Sequence, residues 1–325
     1  LTGNVKVSGE VRDRVLRALA ELDYEPNSAA RAMKTGHTGQ IGVVMSALTN
    51  PFHQEMLREV SQRLVTANLN PVIWYLDHGA DELAVQAIRR GGVDGILLTS
   101  ATSSSATLEA AIDKRLPAVL LHRTVDDSFC DQVGGDNWRG GYEVAQYFAD
   151  NGHTRIGMVT GSLMLSTTRE RERGFRAGLL ACGLEIAEQS MVRGDVSHAT
   201  GVSAAERFLG LTDPPTAVLT TSDLLAFGVI DALGAAGRAT PEDMWVVGFD
   251  NTEMAGWHSF QLTSVDEPTH EMVGIAVDLL REQIDGVKRP PKKVILPCEL
   301  VIRRSTADVA FTPRTPVPDE AGDSI

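Results

Sequence analysis

From residue 41 onward the chain repeats one unit: a short, continuously apolar run, then a helix-forming stretch. The runs fall at 41–46, 71–76, 93–99, 117–122, 155–160, 215–220 and 244–249. A strand with one wetted face alternates apolar and polar residues. These runs do not alternate, so they read as strands covered on both faces, the condition of a parallel sheet. The stretches between them carry stripes at helical spacing. Gly141, Val144, Ala145, Phe148 and Ala149 form one; Val273, Ala276, Val277, Leu280 and Ile284 form another. Repeated strand–helix units with right-handed crossovers predict an α/β fold with doubly wound sheets. The runs group into two blocks, roughly 41–136 and 155–265, each about the size of one domain. Two doubly wound parallel-sheet lobes are therefore expected, with ligands bound outside the strands' C-terminal ends in the cleft between them. The late run 293–303 carries Pro297 and alternates less cleanly. The segment 311–325, with Pro313, Pro316, Pro318 and several acids, reads as a disordered tail.

Composition narrows the function classes. The 325 residues suffice for more than one domain. No apolar run approaches the ~20 residues that span a bilayer, and no signal-peptide pattern is visible. Cys130, Cys182 and Cys298 are odd in number and far apart, which favours a reduced, cytoplasmic protein over a disulfide scaffold. The net charge is −13. Acidic and basic residues nearly balance before residue 40, so the acidity belongs to the body, and an acidic body repels phosphate. Any DNA contact is then confined to the N-terminal segment. Phosphate-loop, nucleophile-elbow, zinc-protease and dinucleotide motifs are absent, and the eight histidines lack metal-ligand spacing. No catalytic residue, metal or cofactor is expected.

The first forty residues differ in kind. Residues 8–22 read as an amphipathic helix, with Ser8 as N-cap and Val11, Val15, Leu19 and Leu22 on one face. Pro26 keeps Glu25 out of the helical region. A second short helix of small residues runs over 28–34, and Thr35-Gly36-His37-Thr38-Gly39 forms a joint before the first strand. This order resembles the lactose-repressor (LacI/GalR) family of bacterial transcription regulators. The resemblance is carried by Val7-Ser8, Arg12, Val15-Leu16, Ala18, Leu22, Tyr24, Pro26-Asn27, Ala30-Arg31, Thr35-Gly36, Ile41-Gly42-Val43 and Asn50-Pro51-Phe52. It extends to about residue 305.

The resemblance implies a helix-turn-helix headpiece and hinge helix over 1–38, then a periplasmic-binding-protein-like core over 39–310. One lobe of that core is expected at about 39–136 and 267–295, the other at about 137–266 and 296–308. Leu1-Thr2-Gly3 looks like the end of the recognition helix that reads the major groove, which places the reading residues upstream. In the hinge, Met33 takes the place of a residue that relatives wedge into the minor groove, and Asn27, Ala30 and Arg31 are its DNA-facing companions. A plain linker helix is the alternative.

For the effector, the resemblance points to strand-end residues. Phe52 follows the first strand in an Asn-Pro-Phe turn, where its ring suits the apolar face of a sugar or the plane of a purine; a core role is the alternative. His53 stands in place of a second aromatic. Thr167 and Arg171 precede Gly174-Phe175, and the guanidinium offers two parallel donors for hydroxyls or a carboxylate. Against this, the neighbouring Arg169, Glu170, Glu172 and Arg173 read as a solvated helix face. Asp250 ends the buried Val246-Val247-Gly248-Phe249 run and can accept two hydroxyl bonds, or cap a helix. Ser222 replaces a common Asn, His122 a common Asp and Val196 a common aromatic, so the effector's polar pattern departs from the usual one. Asp136 reads equally as a ligand contact or a cap at a lobe crossover. Arg171 and Asp250 are expected to face each other across one ligand, with Phe52 on its apolar side.

The implied protein is a ligand-responsive, DNA-binding regulator, most often a repressor in this family. It would act as a homodimer on operator DNA, with no membrane partner and a small polar effector, a sugar before a nucleoside or other metabolite. Two rivals share the body. A secreted solute-binding protein has no need of residues 1–38, and a sugar-modifying enzyme needs a nucleophile or phosphate loop that is missing.

Overall fold

Two six-stranded sheets form, and the strands' apolar character explains both. The computed structural model describes residues 36–306 apart from 47, 77–80, 103–104 and 127, with Val11, Asp13, Arg14, Arg17 and Ala18, all five helical. The rest of the expected helix 8–22, the hinge residues Asn27, Ala30, Arg31 and Met33, and the tail 311–325 lie outside the described residues.

The first sheet holds β1 (Gln40–Met45), β2 (Asn70–Tyr75), β3 (Gly95–Leu98), β4 (Ala118–Leu121), β5 (Asp131–Gly135) and β11 (Lys293–Leu296). Its order is β11-β5-β4-β3-β1-β2, and every neighbouring pair is parallel. The second holds β6 (Ile156–Thr160), β7 (Met191–Arg193), β8 (Ala217–Thr220), β9 (Trp245–Asp250), β10 (Thr263–Asp266) and β12 (Glu299–Val301). Its order is β12-β10-β9-β8-β6-β7, parallel except for β12 against β10.

Helices cover both faces of each sheet. In the first lobe, α1 (Pro51–Thr66) and α8 (Thr269–Ile284) bury one face, and α2 (Asp81–Arg89) and α3 (Ala106–Lys114) the other. Adjacent strand residues point into opposite cores: Val43 and Leu97 toward α1 and α8, Val44 and Leu98 toward α2 and α3. The second lobe repeats this, with α4 (Asn137–Asp150) and α5 (Ser166–Ala181) opposite α6 (His198–Leu209) and α7 (Asp223–Ala235). Met158, Leu219 and Val247 face α4 and α5; Val159, Val218 and Val246 face α6 and α7. Two-sided burial is why the runs do not alternate.

The chain passes between the lobes three times: at Asp136, at Glu267-Pro268, and at Pro297-Cys298, which splits the late run into β11 and β12. The crossings pack together. A Cβ on Gly135 would meet Cys298 Sγ and the Glu267 side chain within about 3 Å. The strand order reverses between β1 and β3 and between β6 and β8. Strand-end loops diverge at such points and leave a crevice.

Candidate functional site

The two crevices face each other across one cavity of about 580 Å³, lined from both lobes. That volume suits a small polar ligand. From the first lobe come the loop after β1, the start of α1 and the end of β4. Asn50 caps α1, its Oδ1 accepting from Phe52 N at 3.1 Å. Phe52 joins the first lobe's core at 2% exposure and also reaches the cavity wall. Its ring is thus part of the core and of the cavity wall at once. His53 is buried, with Nδ1 2.8 Å from Ser46 O. His122 directly follows β4 at φ 72°, and its ring lies 4.7 Å from that of Phe52.

From the second lobe come Thr167 and Arg171 on the first turns of α5, Val196 before α6, Ser222 before α7, and Asp250 at the end of β9. Asp250 has φ 108°, a region that side chains with a Cβ rarely enter. Strained backbone at two strand ends on one cavity is a recurrent feature of binding sites.

Arg171 organises the polar wall. Its Nε donates to Asn137 Oδ1 at 2.6 Å, and Nη1 donates to Thr221 O and Asp250 Oδ1, both at 2.8 Å. The guanidinium carbon lies 3.8 Å from the Phe249 ring centroid, a cation–π contact. Nη2 stands 3.1 Å from Glu267 Oε1, close enough for an ion pair but too misaligned for a hydrogen bond. Asp250 Oδ2 accepts from the Ser222 hydroxyl at 2.9 Å. The expectation that Arg171 and Asp250 oppose each other across a ligand is thus corrected. They bond directly and present one joint surface, because a buried guanidinium needs a carboxylate within reach.

Glu267 was not singled out from the sequence, yet it joins the lobes' halves of the site. Its Oε2 lies 2.8 Å from His122 Nδ1 while Oε1 faces Arg171. Burial pushes its carboxyl up, but His122 and Arg171 outweigh burial and hold it down at about 2. No strand run was read at 263–266, so the sequence offered no strand end to mark Glu267. Asp223 was not singled out from the sequence either. It is fully buried and accepts from Thr252 N (2.7 Å), Thr252 Oγ1 (3.0 Å) and Ser264 Oγ (2.6 Å). Those bonds pin the turn after Asp250. Burial, then the nearby Asp250, raises its carboxyl above the ordinary range.

Two further charged residues have their places decided by the fold. Asp136 does not line this cavity. It caps α4, with Oδ1 accepting from Arg139 N at 2.9 Å, and borders a separate hollow of about 310 Å³. That hollow shares His122 and Thr167 with the cavity. Glu172, expected on a solvated face, is buried beside Arg176 (3.0 Å) and Arg193 (2.7 Å). Among the described residues no group of three His, Cys, Asp or Glu is placed to hold a metal. Likewise no helix there is long and apolar enough to cross a membrane.

Comparison with known proteins agrees with this architecture. A family described as periplasmic binding protein-like domain matches residues 145–306. The ribose operon repressor of Escherichia coli (strain K12) is 31% identical over 283 residues, 86% of this chain and 85% of the repressor. The HTH-type transcriptional repressor PurR of Photobacterium profundum is 29% identical over 308 residues, 93% of this chain and 92% of that protein. Among solved structures, the transcriptional regulator CelR–cellobiose complex superposes with a TM-score of 0.77 at 29% identity, covering 93% of each chain. A LacI family transcriptional regulator from Enterococcus faecium with bound ribose superposes at 0.74 and 27% identity, covering 83% of this chain and 100% of that one. Sequence, fold and relatives agree: the chain belongs to the LacI/GalR family of ligand-responsive, DNA-binding transcription regulators.

Proposed function

We propose that the interlobe cleft is the effector site of this regulator and that the effector is a small polyhydroxylated molecule. One observation carries the reading. Phe52, His53, His122, Thr167, Arg171, Val196, Ser222 and Asp250 arrive from separate loops of both lobes and line one cavity. An aromatic ring beside a carboxylate–guanidinium pair matches a sugar, which has an apolar face and a rim of hydroxyls. The relatives whose structures hold cellobiose and ribose favour the same class.

Hydrogen bonds already join the lobes, Arg169 Nη2 donating to Asp126 Oδ2 at 3.4 Å among them. Asn50 Nδ2 donates to Ser222 Oγ at 3.4 Å, Thr124 N to Ser166 Oγ at 3.0 Å, and Glu253 N to Glu55 Oε1 at 2.9 Å. A ligand bonded to both walls biases the angle between the lobes, and through the joint at 36–39 the order of the DNA-binding segment. Coupling of this kind is worth about 1–3 kcal/mol. The working unit is a homodimer that places two headpieces on operator DNA, since one headpiece makes too few base contacts for tight specific binding. Val65 on α1, Ile73 on edge strand β2 and Leu83 on α2 are 62%, 46% and 64% exposed and suit a second copy.

Calorimetry with a panel of mono- and disaccharides and nucleosides tests the site. Asp250→Asn keeps the shape but removes the charge that Arg171 and a bound hydroxyl share. It should weaken effector binding by about 2 kcal/mol, the scale of a charged hydrogen bond. Unchanged affinity in that variant would remove the cleft assignment. Light scattering at micromolar concentration should report a dimer, and a strict monomer would overturn that element of the reading.

A further inference from the structure

Arg123 sets the cleft apart from one built for a neutral ligand. It follows His122 at the end of β4, lines the cavity, and is only 8% exposed. Its bonding is poor. Nη1 reaches Ser100 O at 3.3 Å, and Nε has no hydrogen-bond partner among the described residues. No carboxylate pairs with it there. Its nearest charged influence is another cation, Arg171. Burial, then Arg171, pushes the guanidinium down to about 10, so it stays charged at neutral pH. A buried cation without a partner is costly, and the ordinary remedies are a counter-ion or loss of the charge.

The acids nearby are already committed. Asp250 is held by Arg171 and Ser222, and Glu267 by His122 and Arg171. Asp195, the other acid on the cavity wall, is exposed on the opposite lobe. The position next to Arg123, where a carboxylate would balance it, is taken by His122. On the second lobe's wall, Thr221 Oγ1 is buried and also without a hydrogen-bond partner among the described residues. The first lobe therefore offers an uncompensated guanidinium, and the second lobe a spare hydroxyl.

We propose that the effector is an anionic polyol, a sugar derivative with one carboxylate or phosphate group, and that Arg123 receives its oxyanion while the Arg171–Asp250 pair meets its hydroxyls. The inference rests on the cleft being the effector site and names the ligand class for it. A guanidinium fork matches carboxylate and phosphate oxygens in two parallel bonds, which a lone hydroxyl does not use.

Calorimetric titration with matched compounds tests this: D-glucose, D-gluconate and D-glucose 6-phosphate, and D-ribose, D-ribonate and D-ribose 5-phosphate. At least one charged member should bind ten-fold or more tighter than its neutral parent. Arg123→Gln should erase that preference while changing affinity for the neutral parent less than three-fold, and Arg123→Lys should restore part of it. The acid and phosphate arms separate the two sources of the oxyanion. A neutral sugar binding as tightly as its charged counterparts would overturn the inference and leave the effector site standing. A charge preference that survives Arg123→Gln would overturn the role of Arg123. Binding of none of the six compounds at millimolar concentration would count against the cleft as a sugar-effector site and against this inference together.

Discussion

At the residue scale, the cleft is backed by a chain of buried polar contacts that runs through His122, Glu267, Arg171 and Asp250 to Ser222. Glu267 links His122 to Arg171 and so touches residues from both lobes. Glu267→Gln keeps the volume but leaves Arg171 with one carboxylate instead of two. Removing one partner of a buried pair typically costs 3–5 kcal/mol. With Asp250 still in place, a loss near the lower end, about 3 kcal/mol, is expected in urea unfolding. A loss below about 1 kcal/mol would mean that Glu267 does not hold the two halves together. Phe52, Arg171 and Asp250 were legible in the sequence because each sits in a short motif after a strand. Glu267 was not, because the residues around it read as a connector. Only the folded chain brings that connector against His122 and Arg171.

At the element scale, helix contact places Arg171. Helices α4 and α5 meet backbone to backbone because glycines face the crossing. A Cβ on Gly174 would overlap the Trp138 carbonyl, and one on Gly141 would overlap the Arg171 carbonyl. Gly174→Ala must push the helices apart and move Arg171 with them. It should destabilise the fold by about 2–4 kcal/mol, beyond ordinary overpacking because backbone cannot yield as a side chain does. Gly234, in the last turn of α7, meets nothing within 4 Å. There the same substitution should stabilise by up to about 1 kcal/mol, through helix propensity alone. Denaturation midpoints of the two variants should move in opposite directions; a shared direction would contradict the packing account. The helical stripes were readable, but the partner of each stripe was not. Three strands also escaped the sequence reading for local reasons: β5 is polar and Gly-rich (DQVGG), β7 is three residues long, and β10 is a short, mostly polar TSVD.

At the scale of the whole molecule, one buried carboxyl ties stability to pH. Asp223 is raised by burial and by Asp250, so the folded state holds its proton at pH values where the unfolded chain, with a carboxyl near 3.9, has released it. Between those two pKa values the native state binds more protons, and stability falls as pH rises. One proton contributes at most about 1.4 kcal/mol per pH unit. Thermal unfolding should therefore show a lower Tm at pH 8 than at pH 5, with Asp223→Asn flattening the slope. An unchanged slope in that variant would assign the effect elsewhere. By itself the sequence determined the two-lobe α/β architecture, because two-sided burial writes itself as continuous apolar runs. It also determined the strand-end motifs, because their residues are contiguous. The tertiary structure alone decided that Arg171 and Asp250 bond directly, that Asp136 is a cap, that Arg123 lines the cleft, and that Glu267 lies buried against His122 and Arg171 behind its wall. Those facts depend on where three crossovers bring distant residues within about 3 Å of one another, a distance that no local pattern encodes.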